Sequence, residues 1–419
     1  MEERREIYRK YGVSDKALDI AFKAEKSIED IYRRIDYICE YNSLKVLNAF
    51  KETKFSEVHM GSTTGYGYDD IGREKIEEIY AKVFGAEKAY VRMQISSGTQ
   101  AITAMLFGLL RPGDTMLSVT GKPYDTLSAT IGLNPENYDG SLLNFGIKYK
   151  DIELLPDSNP DIEGMLEAMD PSVKMVFIQK SRGYTGRRAL LSTDIEKIAK
   201  AAHEKDPDVI VCVDNCYGEF CELREPCEVG ADICAGSLIK NPGGGIASTG
   251  GYIAGKADLV EKCARHLTTP GLGSEVGPTL DFNRQCARGL FTAPATVREC
   301  LKGAVFAAAV FELCGIRSLP AKDDLRGDIV QTLIFEDPDK MVNFCRKIQE
   351  CSPVDSYVTP EPWDMPGYDD QVIMAAGTFI SGATTELSCD GPMKDPYIAY
   401  MQGGLVSEQV KLAVLLSID

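Results

Sequence analysis

The chain offers one acid and one lysine in an order that suggests chemistry. An apolar run, Val209–Val213, ends in Asp214-Asn215. Lys240 follows Asp214 by 26 residues, after Ser237-Leu238-Ile239 and before Asn241-Pro242-Gly243-Gly244-Gly245. A carboxylate at the end of a buried strand points into the crevice where layered α/β sheets bind ligands. This order suits pyridoxal phosphate: the amine joins the cofactor's aldehyde, and the acid pairs with the pyridinium nitrogen so that the ring becomes an electron sink. The lysine must be able to lose its proton, which a desolvated position near another cation favours. Ser237 stands within reach of a cofactor phosphate, and the glycines after Lys240 let the backbone pass close to the ring.

Three further stretches are candidates for the same site. Ser96-Ser97-Gly98-Thr99 lies between a predicted strand, Ala89–Gln94, and a predicted helix, Thr99–Leu110. A glycine-containing turn into a helix supplies free N–H groups and a favourable dipole for a phosphate, although the same residue types also serve as an ordinary N-cap. Tyr124, in Lys122-Pro123-Tyr124-Asp125, follows the predicted strand Thr115–Val119. It would stack on a pyridine ring, unless the segment is a surface turn built on Pro123. Arg182 follows the predicted strand Lys174–Gln179. It is a candidate for the cofactor's phenolic oxygen or the substrate carboxylate, set against the usual solvated arginine.

These residues need a scaffold. Short apolar strands (Ala89–Gln94, Thr115–Val119, Ile152–Leu155, Lys174–Gln179, Val209–Asp214) alternate with helical segments (Thr99–Leu110, Asp161–Met169, Thr193–Glu204). That pattern predicts a parallel sheet buried on both faces, the α/β layered class. Residues 1 to about 50 read as helical. A helix over Ala293–Cys314 and a second αβ segment, Ile329–Phe335 with Lys340–Gln349, open a smaller C-terminal domain. The expected division is a helical arm at 1–58, a large domain at 59–290 and a small domain at 291–419.

Composition narrows the classes further. The 419 residues include 46 Lys plus Arg against 63 Asp plus Glu, a net charge of −17, which argues against a nucleic-acid partner. No apolar stretch follows Met1-Glu2-Glu3-Arg4-Arg5, and Ile95–Leu110 falls short of the roughly 18 apolar residues of a membrane span, so a cytoplasmic location without a membrane partner is expected. The 13 cysteines read as reduced thiols. Cys212, Cys216, Cys221 and Cys227 lack the paired spacing of a zinc site, so no metal is expected. Gly250-Gly251-Tyr252-Ile253-Ala254-Gly255-Lys256 imitates a nucleotide phosphate loop, but Ala257 stands where the metal-binding hydroxyl belongs.

Taken together, Ser96-Ser97-Gly98-Thr99-Gln100, Lys122-Pro123-Tyr124-Asp125, Gln179-Lys180-Ser181-Arg182-Gly183-Tyr184, Val213-Asp214-Asn215-Cys216-Tyr217-Gly218-Glu219-Phe220 and Ser237-Leu238-Ile239-Lys240-Asn241-Pro242 carry a family resemblance. Thr385-Glu386-Leu387-Ser388 and Tyr400-Met401-Gln402-Gly403-Gly404 extend it toward the C-terminus. The chain resembles the fold-type I pyridoxal-phosphate enzymes of cysteine and methionine metabolism, the cystathionine synthase/lyase and methionine gamma-lyase group. Within that group it looks most like the branch of aluminium-resistance, or methionine-gamma-lyase-like, proteins.

The resemblance implies a large domain with a mostly parallel central sheet and helices on both faces, followed by a smaller α/β domain. It implies that Lys240 holds the cofactor as an internal aldimine and shuttles the α-proton, and that Asp214 pairs with the ring nitrogen. Ser97, Gly98, Thr99 and Ser237 would hold the phosphate. Tyr124 would stack on the ring and act as a general acid. In this group a Tyr-x-Arg pair from a neighbouring subunit reaches the phosphate. Here the stretch reads Tyr66-Gly67-Tyr68, so Tyr68 would substitute by its hydroxyl, with Arg73 a nearby alternative. For the substrate carboxylate, Met393-Lys394-Asp395 offers only Lys394, alongside Arg182. The implied protein is a carbon–sulfur lyase for a small sulfur-containing amino acid, assembled as a tetramer of two dimers. A transaminase, a racemase and a cofactor-binding protein without catalysis are the alternatives.

Overall fold

The computed structural model describes residues 2–134, 136, 138–365 and 370–419. The chain packs as two compact units, Asn42–Thr292 and Met1–Tyr41 with Ala293–Asp419.

The first unit is built on a seven-stranded sheet of β1 (Lys88–Arg92), β2 (Thr115–Ser118), β3 (Lys148–Asp151), β4 (Val173–Gln179), β5 (Ile210–Asp214), β6 (Ile233–Ser237) and β7 (Gly251–Gly255). Their order is β1-β7-β6-β5-β4-β2-β3. Strands β3, β2, β4, β5 and β6 run parallel, and β7 is antiparallel to β6 and β1. The centre is apolar on both faces: Met175, Val176, Phe177, Val211, Cys212 and Val213 have no exposed surface. This two-sided burial is what an uninterrupted apolar run predicts for a parallel strand.

Helices in chain order are α1 (Glu2–Arg9), α2 (Asp15–Ser27), α3 (Glu29–Glu52), α4 (Ile71–Val83), α5 (Gly98–Leu109), α6 (Asp125–Ile131), α7 (Ile162–Ala168), α8 (Ser192–Lys205), α9 (Ala257–Leu267), α10 (Asn283–Leu313), α11 (Pro338–Glu350) and α12 (Ser407–Ser417). Helix α5 is almost wholly apolar and packs against β6, β7 and α9. Gly108 permits the close contact with α9, because a Cβ there would stand 3.0 Å from Cys263 Cα.

The second unit carries an antiparallel sheet of β8 (Arg317–Leu319), β9 (Val330–Ile334), β10 (Val372–Ala375), β11 (Ser388–Pro392) and β12 (Ile398–Gln402). Its order is β10-β11-β12-β9-β8. Helix α2 packs on α12, which places the N-terminal helices in this unit.

Several elements differ from expectation, each for a local reason. Strand β3 is the polar Lys148–Asp151, not Ile152–Leu155; it is the sheet's edge, where charged and half-exposed residues are favoured. Strands β6 and β7 were not foreseen, being rich in glycine, alanine and cysteine instead of branched residues. The phosphate-loop mimic is β7 itself, and its Lys256 pairs with Asp232 at 2.7 Å. Helix α10 begins ten residues before Ala293 and keeps Pro294 in its interior, a position that proline usually breaks.

The small residues of β6 make room for a buried polar network. A Cβ on Gly236 would lie 2.4 Å from Glu219 Oε1. Glu219 accepts the Tyr252 hydroxyl at 3.0 Å, and Asn215 Nδ2 donates to Tyr252 at 3.2 Å and to Glu225 at 3.0 Å. Burial, with Glu225 nearby, pushes the Glu219 carboxyl up from 4.5 to about 8. A pKa raised by folding gives stability that is complete below the unfolded value and is lost as pH rises through the folded one. Thermal melts should therefore show this stability fading between about 4.5 and about 8, and Glu219→Gln should remove that part of the slope. Parallel curves for the two proteins would show that Glu219 is ionised in the fold.

Candidate active site

Strands β4, β5 and β6 end side by side. Gln179 is the register partner of Asp214, and Asp214 of Ala235, so their carboxyl ends present Gln179, Asp214 and Ser237 together. Helix α5 begins over these ends. Ser97 caps it by accepting the Gln100 N–H at 3.1 Å and retains its own O–H for donation. Ser96 donates its N–H and hydroxyl to Gln100 Oε1 at 2.6 and 2.8 Å. The Gly98 and Thr99 amides, in the first turn, have no acceptor inside the helix.

Gly98 sets how closely this turn approaches. A Cβ there would stand 2.9 Å from Cys216 Sγ and 3.3 Å from Ser237 Cβ. Ser237 is buried, and its Oγ has no hydrogen-bond partner among the described residues. A buried hydroxyl left unpaired costs about 1–3 kcal/mol. An orphan hydroxyl beside a helix N-terminus is a fitting place for a phosphate group, so the residues present fit the phosphate end of the expected cofactor.

Asp214 is buried and accepts the Cys216 N–H at 3.1 Å. Burial raises its carboxyl, opposed by the Cys216 hydrogen bonds, Lys240 and Arg187. A cationic ring nitrogen would favour the ionised form further. Lys240 begins the short 3₁₀ turn Asn241–Gly243 and is half-buried. Burial pulls its ammonium down, but Tyr217, Cys216 and Asp214 outweigh this and the net shift is upward. The Nζ lies 3.5 Å from the Tyr217 ring centroid.

Tyr124 is the residue before α6 and its hydroxyl lies 3.0 Å from Thr99 Oγ1. Its N–H donates to Gln179 Oε1 at 3.1 Å. The phenol is raised by burial, then by Asp214 and Cys216, so it holds its proton at neutral pH. The sequence alternative of a plain surface turn does not apply to this side chain, which packs against the large core. Arg182 has no exposed surface and so is not the solvated arginine of the alternative reading. Lys180 is also buried, with Nζ 3.2 Å from Gly218 O and 3.3 Å from Glu222 Oε2.

The structure thus gathers Ser97, Gly98, Thr99, Tyr124, Asp214, Ser237 and Lys240 at one end of the sheet. Arg182 follows the end of β4 in the same unit. Tyr68 is exposed and stacked on Tyr66, with ring centroids 5.6 Å apart. Arg73, the alternative to it, is buried and donates to Gly67 O, Gly277 O and Glu275 O at 2.5, 2.8 and 3.2 Å, so its own chain occupies it. Lys394 belongs to the second unit, where it is largely exposed and lies 3.6 Å from Asp370. Gln179, Cys216 and Tyr217 received no role from sequence; of these, Gln179 had a signal, as the last residue of a predicted strand. Among the described residues the cysteines are free, no group of three or more His, Cys, Asp or Glu is placed to hold a metal, and no helix is long and apolar enough to cross a membrane.

The chain is similar to several known proteins. An uncharacterized protein, YnbB, of Bacillus subtilis is 48% identical over 399 residues, covering 95% of each chain. The crystal structure of a carbon-sulfur lyase involved in aluminum resistance from Clostridium novyi superposes with a TM-score of 0.96 at 47% identity, covering 100% of this chain and 99% of that one. The pyridoxal-5'-phosphate dependent protein YhfS of Escherichia coli shares the fold, with a TM-score of 0.62 at 17% identity over 92% of this chain and 96% of that one. Residues 17–419 match the family described as methionine gamma-lyase, and the chain belongs to that family.

Proposed function

We propose that this carbon–sulfur lyase acts on a small sulfur-containing amino acid, with pyridoxal 5'-phosphate held on Lys240. The observation that carries the reading is the buried Ser237 hydroxyl with no hydrogen-bond partner among the described residues, set against Gly98 and three residues before Lys240. When bound, the cofactor supplies an electron sink for charge developing at the substrate α-carbon.

The chain's own groups then divide the work. The Gly98 and Thr99 amides and Ser237 Oγ bind the phosphate, with Ser97 fixing the helix end. Asp214 holds a proton on the ring nitrogen through its charge. Tyr124 would stack on the ring and donate its proton to the departing sulfur; burial keeps the phenol protonated until then. Lys240 Nζ accepts the α-proton. Arg182 orients the substrate carboxylate or the cofactor's phenolic oxygen. The exposed Tyr66–Tyr68 stack supports a contact with a second copy of the chain, in which Tyr68 completes the neighbour's phosphate site in a tetramer of two dimers.

Incubated with a panel of sulfur amino acids, the protein should release thiol, ammonia and a keto acid, and Lys240→Ala should lower the rate by at least about a thousandfold. Amino transfer without ammonia would identify a transaminase, and full turnover by the variant would end the proposal. In sedimentation, active protein should run as an oligomer; a monomer with full activity would contradict the shared site.

A further inference from the structure

The loop after Asp214 holds Tyr217 in an unusual way. Tyr217 has φ +70° and Phe220 φ +62°, left-handed conformations that bulky residues seldom adopt. Such conformations persist only where the surroundings enforce them, and they concentrate at functional sites. Here Asn241 Nδ2, next to Lys240, donates to Tyr217 O at 3.0 Å and to Glu219 O at 2.9 Å. Lys180 Nζ donates to the intervening Gly218 O at 3.2 Å. The bent loop presents the Tyr217 ring to Lys240, with Nζ 3.5 Å from the centroid, well inside the range of a cation–π contact.

Resting on the lyase reading above, we propose that Tyr217 is a catalytic residue whose ring face seats the Lys240 ammonium whenever that amine is not joined to the cofactor. Nζ accepts the proton leaving the substrate α-carbon, the ammonium so formed lies over the ring, and passing that proton to the phenolate left when Tyr124 protonates the departing sulfur restores both the neutral amine and the neutral phenol. Cys216 and Asp214 also face Lys240, and Glu219, further along the loop, senses its charge. Arg187 acts on Asp214. Among these groups the Tyr217 side chain is the one lying over Nζ, its ring centroid 3.5 Å away, and its hydroxyl adds a hydrogen-bonding contribution of its own.

The test is competitive acetylation of the full-length, cofactor-stripped chain with trace acetic anhydride across the alkaline range, read at Lys240 by mass spectrometry. Tyr217→Gly deletes the ring while accepting the positive φ, so the backbone is relieved and not broken. It should make Lys240 react about tenfold faster below its pKa, a shift of about one unit. Tyr217→Phe keeps the ring and loses only the hydroxyl's share, so its reactivity should stay closer to the parent than to Tyr217→Gly. Equal labelling of Tyr217→Gly and the parent, or a Tyr217→Phe protein as reactive as Tyr217→Gly, would overturn the proposal. The labelling needs no turnover, so it stays separate from the lyase assay. A ring effect without carbon–sulfur cleavage would refute the lyase reading alone, and cleavage with no ring effect would refute the seat for Lys240 alone.

Discussion

The site depends on how closely the first turn of α5 approaches the ends of β5 and β6. A side chain at position 98 would press on Cys216 Sγ at 2.9 Å and on Ser237 Cβ at 3.3 Å. With glycine there, the helix's free amides, its dipole and the Ser237 hydroxyl converge on one small volume. The rest of the sheet serves that approach. The parallel order places Gln179, Asp214 and Ser237 on adjacent strand ends. Ser96 and Ser97 are used in capping, so what the helix leaves open is backbone N–H, the group best suited to an anion.

A second constraint is electrostatic. Burial opposes charge on Asp214 and Lys240 alike, and each partly offsets the other's cost. The neighbouring carboxyl, Glu219, is relieved differently, by holding its proton and sharing a hydrogen bond with Tyr252. A neutral Glu219 leaves Asp214 as the acid proposed above to face the cofactor's ring nitrogen. The two carboxyls, five residues apart in sequence, therefore differ in role through their surroundings, one beside Lys240 and Arg187 and the other beside Glu225.

Much of this was legible because it follows from short-range patterns. The apolar runs of β4 and β5 read as buried strands, and Ser96-Ser97-Gly98-Thr99 as a turn into a helix. Asp214 and Lys240 stood out by order and chemistry. The misses have physical causes. Strands β6 and β7 lack the branched residues that signal a strand, because bulk there would collide with Glu219, Tyr252 or Ile95. Strand β3 is an edge and reads as polar. The closeness of Tyr217 to Lys240 is set by a positive φ and by Asn241 reaching across 24 positions, a relation no local pattern encodes. Arg73 appeared available from sequence, yet carbonyls 204 and 202 positions away consume it.

Lys240 is the amine proposed to carry the cofactor. Borohydride reduction of the full chain loaded with pyridoxal phosphate, followed by digestion and mass spectrometry, fixes any carbon–nitrogen link where it stands. A phosphopyridoxyl group is expected on the peptide containing Lys240, with the buried Lys180 unmodified. A label on Lys180, or on no lysine, would contradict that assignment.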